Sequence, residues 1–547
     1  MKRIIALLLC LVLLAGCSAS PAATATPTEN LTPNGKYRVD AQRNEVIIDD
    51  AGTIEMNNDT NNRLFYHIFV GSFSDSNGDG IGDLRGIINR FDYLNDGNDN
   101  SGMSLGVEGI WLSPIFHSPS YHKYDVRDYY TIDPQFGTQE DLEDLIELCH
   151  ERGVKLILDL VINHTSDRNQ WFKDFNLAHA NGDTESPYYD FYTWAESPAG
   201  NRRFNSLPGT KVSYECNFSG DMPELNFDSQ AVRQRMVEVA KYWLDLGVDG
   251  FRFDAAKYIY LGEESRNAEF WKWYMSELRA IKPDIYSVAE VWDSDGFTYP
   301  YFASTNCFNF TMAQSGGRIA ETAKAGDVNA FTKYVSQYMK AIQSRNPEAM
   351  PVTFIANHDT DRAAGFLTVA SGQAFVGANL SILMPGSTFV YYGEEIGLKG
   401  SRGGANTDAN RRLAMAWGDG DTVKNPVGST YSGADSNGTV ASQKPDEKSL
   451  YNHYKKLIAI RKANPEIASG TYTPLKFEGM KQGGFLSTLN GSTVAVLHNT
   501  SLSAVEIDLS SIPELTGMEI QAFAGLGGAA LNGTTLTLDG QTSVVLK

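Results

Sequence analysis

Three carboxylates stand at the ends of apolar runs in this chain. Asp254 lies in GFRFDAAK (250–257), Glu290 in IYSVAEVW (285–292) and Asp359 in VTFIANHD (352–359). A fourth run, KLILDLVIN (155–163), carries Asp159 and Asn163 and leads into His164. A lone acid at such a position is ordinarily an ion pair or a cap. Several that converge suit acid–base and nucleophilic work, in which one carboxylate attacks in its ionised form and another donates a proton. Arg252 and Asp254 are two residues apart, so on a strand they face the same side. The arginine favours the charged form of Asp254, and neighbouring anions favour the neutral form of Glu290. A transition state that gains positive charge would be stabilised by the remaining carboxylate density.

Such residues need a scaffold that brings distant segments together. Eight strand-like runs recur: LFYHIFV (64–70), VEGIWLSPI (107–115), KLILDLVIN, GFRFDAA (250–256), IYSVAEVW, CFNF (307–310), VTFIANHD and STFVYYGEE (387–395). CFNF is the least marked of them. Amphipathic patterns lie between several. TQEDLEDLIELCHERG (138–153) opens on Thr138 with acids in its first turn, stops at Gly153 and lines Leu142, Leu145, Ile146 and Cys149 on one face. SQAVRQRMVEVAKYWLDLG (229–247) and NAEFWKWYMSELRAI (267–281) read similarly. Alternating strands and helices predict an α/β fold, a (β/α)8 TIM barrel, whose catalytic residues sit at the C-terminal strand ends. The barrel is expected in two parts, 37–165 (with a polar lead-in over 37–62) and 228–465. Residues 166–227, rich in Tyr, Asn, Pro and Gly, form an inserted domain after the third strand. From 466 to 547 short strands and turns predict an antiparallel β-sandwich.

The first residues read as a leader. Lys2 and Arg3 precede an apolar run from Ile4 to Ala15, and LLAGC ends at Cys17. Small residues before that cysteine resemble a bacterial lipobox, so Cys17 would carry lipid and hold an exported protein on the membrane, outside the cytoplasm. An ordinary cleaved signal, giving a secreted protein, is the alternative. Residues 18–36, rich in Ser, Thr, Pro and Ala, read as a disordered tether. With 66 acidic against 46 basic residues the net charge is −20, which argues against a nucleic-acid partner. Cys149, Cys216 and Cys307 are widely spaced and suggest neither a disulfide framework nor a zinc site.

DSNGDGIGD (75–83) follows the first strand. Asp75, Asn77, Asp79, the Ile81 carbonyl and Asp83 fall at alternate positions, with Gly80 at the sharp turn. Five oxygen donors in that order predict a structural Ca2+ site. It begins like an EF-hand, but position twelve is Gly86 and no helix pair flanks it. The plain alternative is an Asx-rich turn.

Together these segments resemble the α-amylase family of glycoside hydrolases. The resemblance covers residues 63 to about 465 in order, and extends to the insertion and the C-terminal sandwich. It implies Asp254 as nucleophile, Glu290 as acid/base and Asp359 as the acid that holds substrate hydroxyls and stabilises the transition state. It implies that His164 and His358 bind the reactive sugar, that Arg252 supports the nucleophile and that Tyr124 of YHKYDVRDYY stacks under that sugar. Asp125, Lys257 and Arg362 complete the implied substrate-binding set, with Lys257 on the leaving-group side. The frequent HGYD of the family is HKYD here, with Lys123 in place of glycine. The 75–83 loop resembles a calcium loop of one branch, and MPELNFD (222–228) resembles a type intermediate between oligo-1,6-glucosidases and neopullulanases. Ala255, where α-1,6-cleaving members carry Val, favours α-1,4 bonds, and Val291 and Trp292 are more like amylases than glucosidases. The resemblance implies retaining cleavage of α-1,4-glucosidic bonds in starch, maltodextrins or maltooligosaccharides. An exo-acting α-glucosidase, a cyclodextrin- or pullulan-degrading relative, and a non-catalytic glucan-binding protein are the alternatives.

Overall fold

The computed structural model describes residues 30–32, 35–40, 45–51, 62–99, 101–403, 407–431 and 436–547, with side chains from 62 onward. The expected signal segment, Cys17 and the tether as far as residue 29 lie outside the described residues. The end of that tether departs from expectation: Asn30–Thr32 pairs antiparallel with Gly35–Asp40, which pairs with Glu45–Ala51 in the expected lead-in.

The eight expected strands form one parallel sheet. In chain order they are Leu64–Ile68, Gly109–Leu112, Lys155–Leu160, Gly250–Phe253, Tyr286–Ala289, Asn306–Cys307, Val352–Phe354 and Ser387–Tyr391. Each pairs with its sequence neighbours, the eighth returns to the first, and a parallel bridge from Phe308 to Val352 joins the sixth to the seventh. The strands are shorter than the apolar runs because each run continues into the loop above its strand. The sixth is only two residues long. Phe65, Trp111, Ile157, Val288, Phe308 and Phe389 fill the interior. Gly250 is required by closeness: a Cβ there would lie 1.9 Å from the Tyr286 carbonyl oxygen.

The helices pack outside. The 138–153 pattern forms Gln139–Glu151. Thr138 Oγ1 accepts from the Asp141 N–H and Asp141 accepts in return from the Thr138 N–H, and Leu142, Leu145, Ile146 and Cys149 are buried. The inserted domain carries a helix, Gln170–Asn181, and a sheet of Trp194–Ala195, Phe204–Ser206 and Ser213–Glu215. It is anchored beside the third strand by a bridge between His164 and Glu224. Cys149, Cys216 and Cys307 are buried free thiols. No helix among the described residues is long and apolar enough to cross a membrane.

The C-terminal domain is the expected sandwich. A five-stranded sheet (Thr471–Leu475, Gln482–Leu489, Ser492–Asn499, Ile520–Gly525, Thr542–Leu546) opposes a three-stranded one (Val505–Asp508, Ala529–Asn532, Thr535–Leu538) across Ala495, Leu497, Leu536, Leu538 and Val544. The other face of the larger sheet belongs to the main core, where Phe485, Val494, Val496 and Val545 join the barrel helices. A polar chain crosses that junction. Asn379 donates to the Ala524 carbonyl at 3.0 Å and to Ser543 Oγ at 2.9 Å, His453 Nε2 lies 2.8 Å from Asn379 Oδ1, and His498 Nδ1 lies 2.7 Å from Ser543 Oγ.

Candidate active site

Strand parity puts the first contacts in place. Residues 252 and 254 face the barrel mouth, and the register sets Arg252 beside Asp159 of the third strand and Val288 of the fifth. Arg252 is 1% exposed. Its Nη1 donates to Asp254 Oδ1 at 2.6 Å and to both Asp159 oxygens at 2.9 and 3.1 Å, and its Nη2 lies 3.0 Å from Glu290 Oε2. One guanidinium thus joins three carboxylates from three strands. Burial works against the arginine's charge, and Asp159, Glu290 and Asp254 more than restore it.

The chain turns sharply after Asp254. Ala255 adopts φ 49°, the left-handed conformation, and its N–H donates to Glu290 Oε2 at 3.0 Å. The Ala256 N–H donates to the Glu290 carbonyl. The ends of the fourth and fifth strands are therefore clamped together. Burial raises the Glu290 carboxyl to about 7; Arg252 opposes this, while the Asp254 and Asp359 charges add to it. Burial also pushes Asp159 up, against the pull of Arg252.

Asp359 is treated differently. Burial would raise it, but His358 Nε2 at 3.0 Å and Arg412 Nη2 at 2.8 Å hold it well below the usual carboxylate range. Arg412 also donates to the His358 carbonyl and to the Tyr121 hydroxyl. Tyr124 stacks on His358 at 5.4 Å, and its hydroxyl lies 2.5 Å from His358 Nε2 and 3.0 Å from Asp159 Oδ2. Burial pulls both His164 and His358 below their ordinary range, and the Asp359 carboxylate opposes this at His358. His164 Nε2 has no protein partner among the described residues, and the side chain lines the cleft.

Above these groups opens a cleft of about 840 Å3, with Asp254, Glu290 and Asp359 in its lining. Lys257 stands on one side, donating to the Trp292 carbonyl at 2.7 Å and lying 3.2 Å from Asp293. Trp292 is 40% exposed and stacks on Phe310 at 4.7 Å. Phe218 of the inserted domain faces His164 and Tyr258. The arrangement joins an acid protonated near neutrality, two further carboxylates and aromatic faces, which is the equipment for cleaving a glycosidic bond.

Comparison with known proteins decides the family. The description "Alpha amylase, catalytic domain" matches residues 67–470. The chain belongs to the α-amylase family. It is 35% identical over 443 residues to Alpha-amylase 3 of Dictyoglomus thermophilum, covering 80% of this chain and 84% of that protein. It is 31% identical over 419 residues to a 4-alpha-glucanotransferase of Thermotoga maritima, covering 74% and 88%. The solved alpha-amylase from H. orenii superposes with a TM-score of 0.78 at 34% identity, covering 89% of this chain and 99% of that one. The protein is therefore a glycoside hydrolase-type enzyme of this family, built on the family's barrel and C-terminal β domain.

Not every residue expected at the site of this α-amylase family member reaches it. Asp254, Glu290, Asp359, Tyr124, His164 and Lys257 line the cleft, with Arg252 and His358 directly beneath. Arg362 does not. Its guanidinium lies under the loops, donating to the Arg411 and Tyr392 carbonyls at 2.9 and 2.7 Å and stacking on Tyr391 and Tyr392. Asp125 is buried beside the cleft, where the Ser118 and Ser120 hydroxyls donate to it. Sequence reasoning missed Arg412, Arg411 and Asp408, which come from the long loop after the eighth strand and line the same cleft. Their place after a strand end marks the loop as near the mouth, but nothing in the sequence singles out these three residues within it.

The protonation of Glu290 has a measurable consequence. A general acid must hold its proton, so kcat/KM for glycoside cleavage should fall as pH rises through about 7, the value at which Glu290 ionises. A profile measured from pH 5 to 9 that stays flat to pH 9 would contradict this role.

Proposed function

We propose that this enzyme is an α-amylase that hydrolyses α-1,4-glucosidic bonds in starch, maltodextrins or maltooligosaccharides with retention of configuration. The observation that carries this reading is the Arg252 hub: it touches Asp254 at 2.6 Å and Glu290 at 3.0 Å, while burial leaves Glu290 protonated near neutrality. Asp254 attacks the anomeric carbon as Glu290 gives its proton to the departing glycosidic oxygen. Glu290, now ionised, takes a proton from water as the water displaces Asp254. Asp359, kept ionised by His358 and Arg412, stabilises the positive transition state. Ala255, Lys257 and the Alpha-amylase 3 relative favour α-1,4 hydrolysis. The test is amylose digestion followed by product size over time. Early mid-length maltooligosaccharides support internal cleavage, glucose alone from the start makes the enzyme exo-acting, and chains longer than a short substrate make transfer the main reaction.

We also propose a structural Ca2+ at the 75–83 loop, held by Asp75, Asn77, Asp79, the Ile81 carbonyl and Asp83. The oxygen donors suit a hard cation. Asp75, Asn77 and Asp79 accept backbone N–H groups within the loop, and Asp83 accepts from the Ser76 and Gly86 N–H groups. Among the described residues no three acidic, His or Cys groups are drawn together as a ready metal cluster, so binding would have to tighten the loop. Chelation should lower the melting temperature by a few degrees, corresponding to about 2 to 3 kcal/mol at saturating Ca2+. Equal melting with and without chelator would remove the site. Export on a lipidated Cys17 is proposed on the leader alone; Cys17→Ser should move the protein from the membrane fraction to the medium or another soluble fraction.

A further inference from the structure

Lys123 occupies a backbone position that favours glycine. Its φ is 64°, in the left-handed region, where a Cβ is unfavourable. The side chain is also 2% exposed, and a buried ammonium is unfavourable unless paired. Its Nζ lies 2.9 Å from Asp133 Oδ2, donates to Gln135 Oε1 at 2.8 Å and sits 5.3 Å from the centre of the Phe136 ring.

The anchor is itself fixed. Asp133 accepts from the Ser118 N–H at 3.0 Å and from the Gln135 N–H at 3.1 Å, and its own N–H donates to the Ile115 carbonyl. The Leu84 N–H, at the start of the helix Leu84–Asn89, donates to the Phe136 carbonyl. Lys123 therefore ties the 118–125 loop to the 133–136 turn and, through it, to the barrel wall. The loop presents Tyr121, His122 and Tyr124 to the cleft, whereas Lys123 points away from it. Tyr124, the next residue, bridges His358 and Asp159.

We infer that Lys123 is a positioning residue: its ion pair with Asp133 holds the 118–125 loop in the shape that sets Tyr124 against His358 and Asp159, and so governs turnover of the α-glucan. This rests on the glycoside cleavage proposed above. A one-ångström misplacement of a group that packs against substrate is enough to slow the reacting step without releasing the substrate.

The test compares four variants of the full protein. Lys123→Met keeps the stem and the backbone strain but loses the charge. Lys123→Gly relieves the strain and removes the strut. Lys123→Arg keeps the charge, and Asp133→Asn removes the partner. On the α-glucoside the wild type cleaves best, the Met, Gly and Asn variants should lose roughly tenfold or more in kcat with KM changed by less than about threefold. Amide hydrogen exchange across 118–126 should speed up by about tenfold. Lys123→Arg should retain more activity than any of these three. The glycine variant decides the matter, because a lysine that merely fills a left-handed position predicts unchanged or higher stability and unchanged kcat there. Unchanged kcat and exchange in Lys123→Gly overturn the inference. A wild type inactive on every α-glucoside overturns the proposed function instead, and the exchange measurement then decides the strut by itself.

Discussion

Replacing Asp254 by asparagine should lower kcat on α-1,4-glucans by about 10^4-fold or more while the protein stays folded. Asparagine keeps the shape and can still accept from Arg252, whose Nη1 is 2.6 Å from the present carboxylate. It cannot supply an ionised oxygen to attack carbon, so the first step has no nucleophile. The fold should not suffer, because the change removes one of three carboxylates crowded on one guanidinium. Melting should occur at the same temperature as in the wild type or higher. Asp254 also helps keep Glu290 protonated, so residual activity should show its alkaline limb at lower pH. Initial rates and thermal melting on the same preparation check both halves. Hydrolysis within tenfold of the wild type would refute the assignment of Asp254.

Arg252→Met should damage both fold and activity. The wild-type side chain is buried against Asp159, Asp254 and Glu290, and it also lies over the rings of Trp111 and Tyr124. Methionine keeps some of the packing but leaves three acids without their cation. Removing one side of a buried charge cluster is expected to destabilise by roughly 3–5 kcal/mol. The sign of the pH dependence is fixed. Without the guanidinium Asp159 and Glu290 lose the cation that opposes their burial and bind protons more readily in the folded state, so the deficit should shrink as pH falls and grow as it rises. Denaturant unfolding at pH 5 and pH 8 would show it; a deficit equal at both would mean that packing, not charge, is what Arg252 supplies. Lysine should rescue poorly, because one ammonium cannot span contacts now divided between Nη1 and Nη2.

The catalytic centre was legible because its geometry follows from periodicity. Residues 252 and 254 had to share a face, and a parallel barrel had to bring the ends of its third, fourth, fifth and seventh strands to one mouth. The apolar runs overstated the strands: 107–115 became Gly109–Leu112 since the rest packs in loops that are also buried. Arg362 shows the limit of motif reading. It sits three residues after Asp359, but the chain turns at Thr360, whose N–H donates to the Asn357 carbonyl, and the arginine is carried under the loops. Arg411 and Arg412 were not legible because a long irregular loop has no period. Nothing in their spacing says that one arginine meets Asp359 and the other Asp361 and Asp408. For Lys123 the sequence showed the substitution, and only the fold showed its partner across ten residues.

The junction between barrel and sandwich sets how the gene can be cut. Val494, Val496 and Val545 are sandwich residues by sequence but core residues of the barrel by packing. A reading frame stopped after the helix Leu450–Ala463 would not encode a leaner catalytic module. It would strip an apolar wall from the helix layer, exposing that face to water, and take away the Ala524 and Ser543 acceptors that now hold the Asn379 amide. In any shuffling or fusion of this enzyme, barrel and sandwich are inherited as one unit.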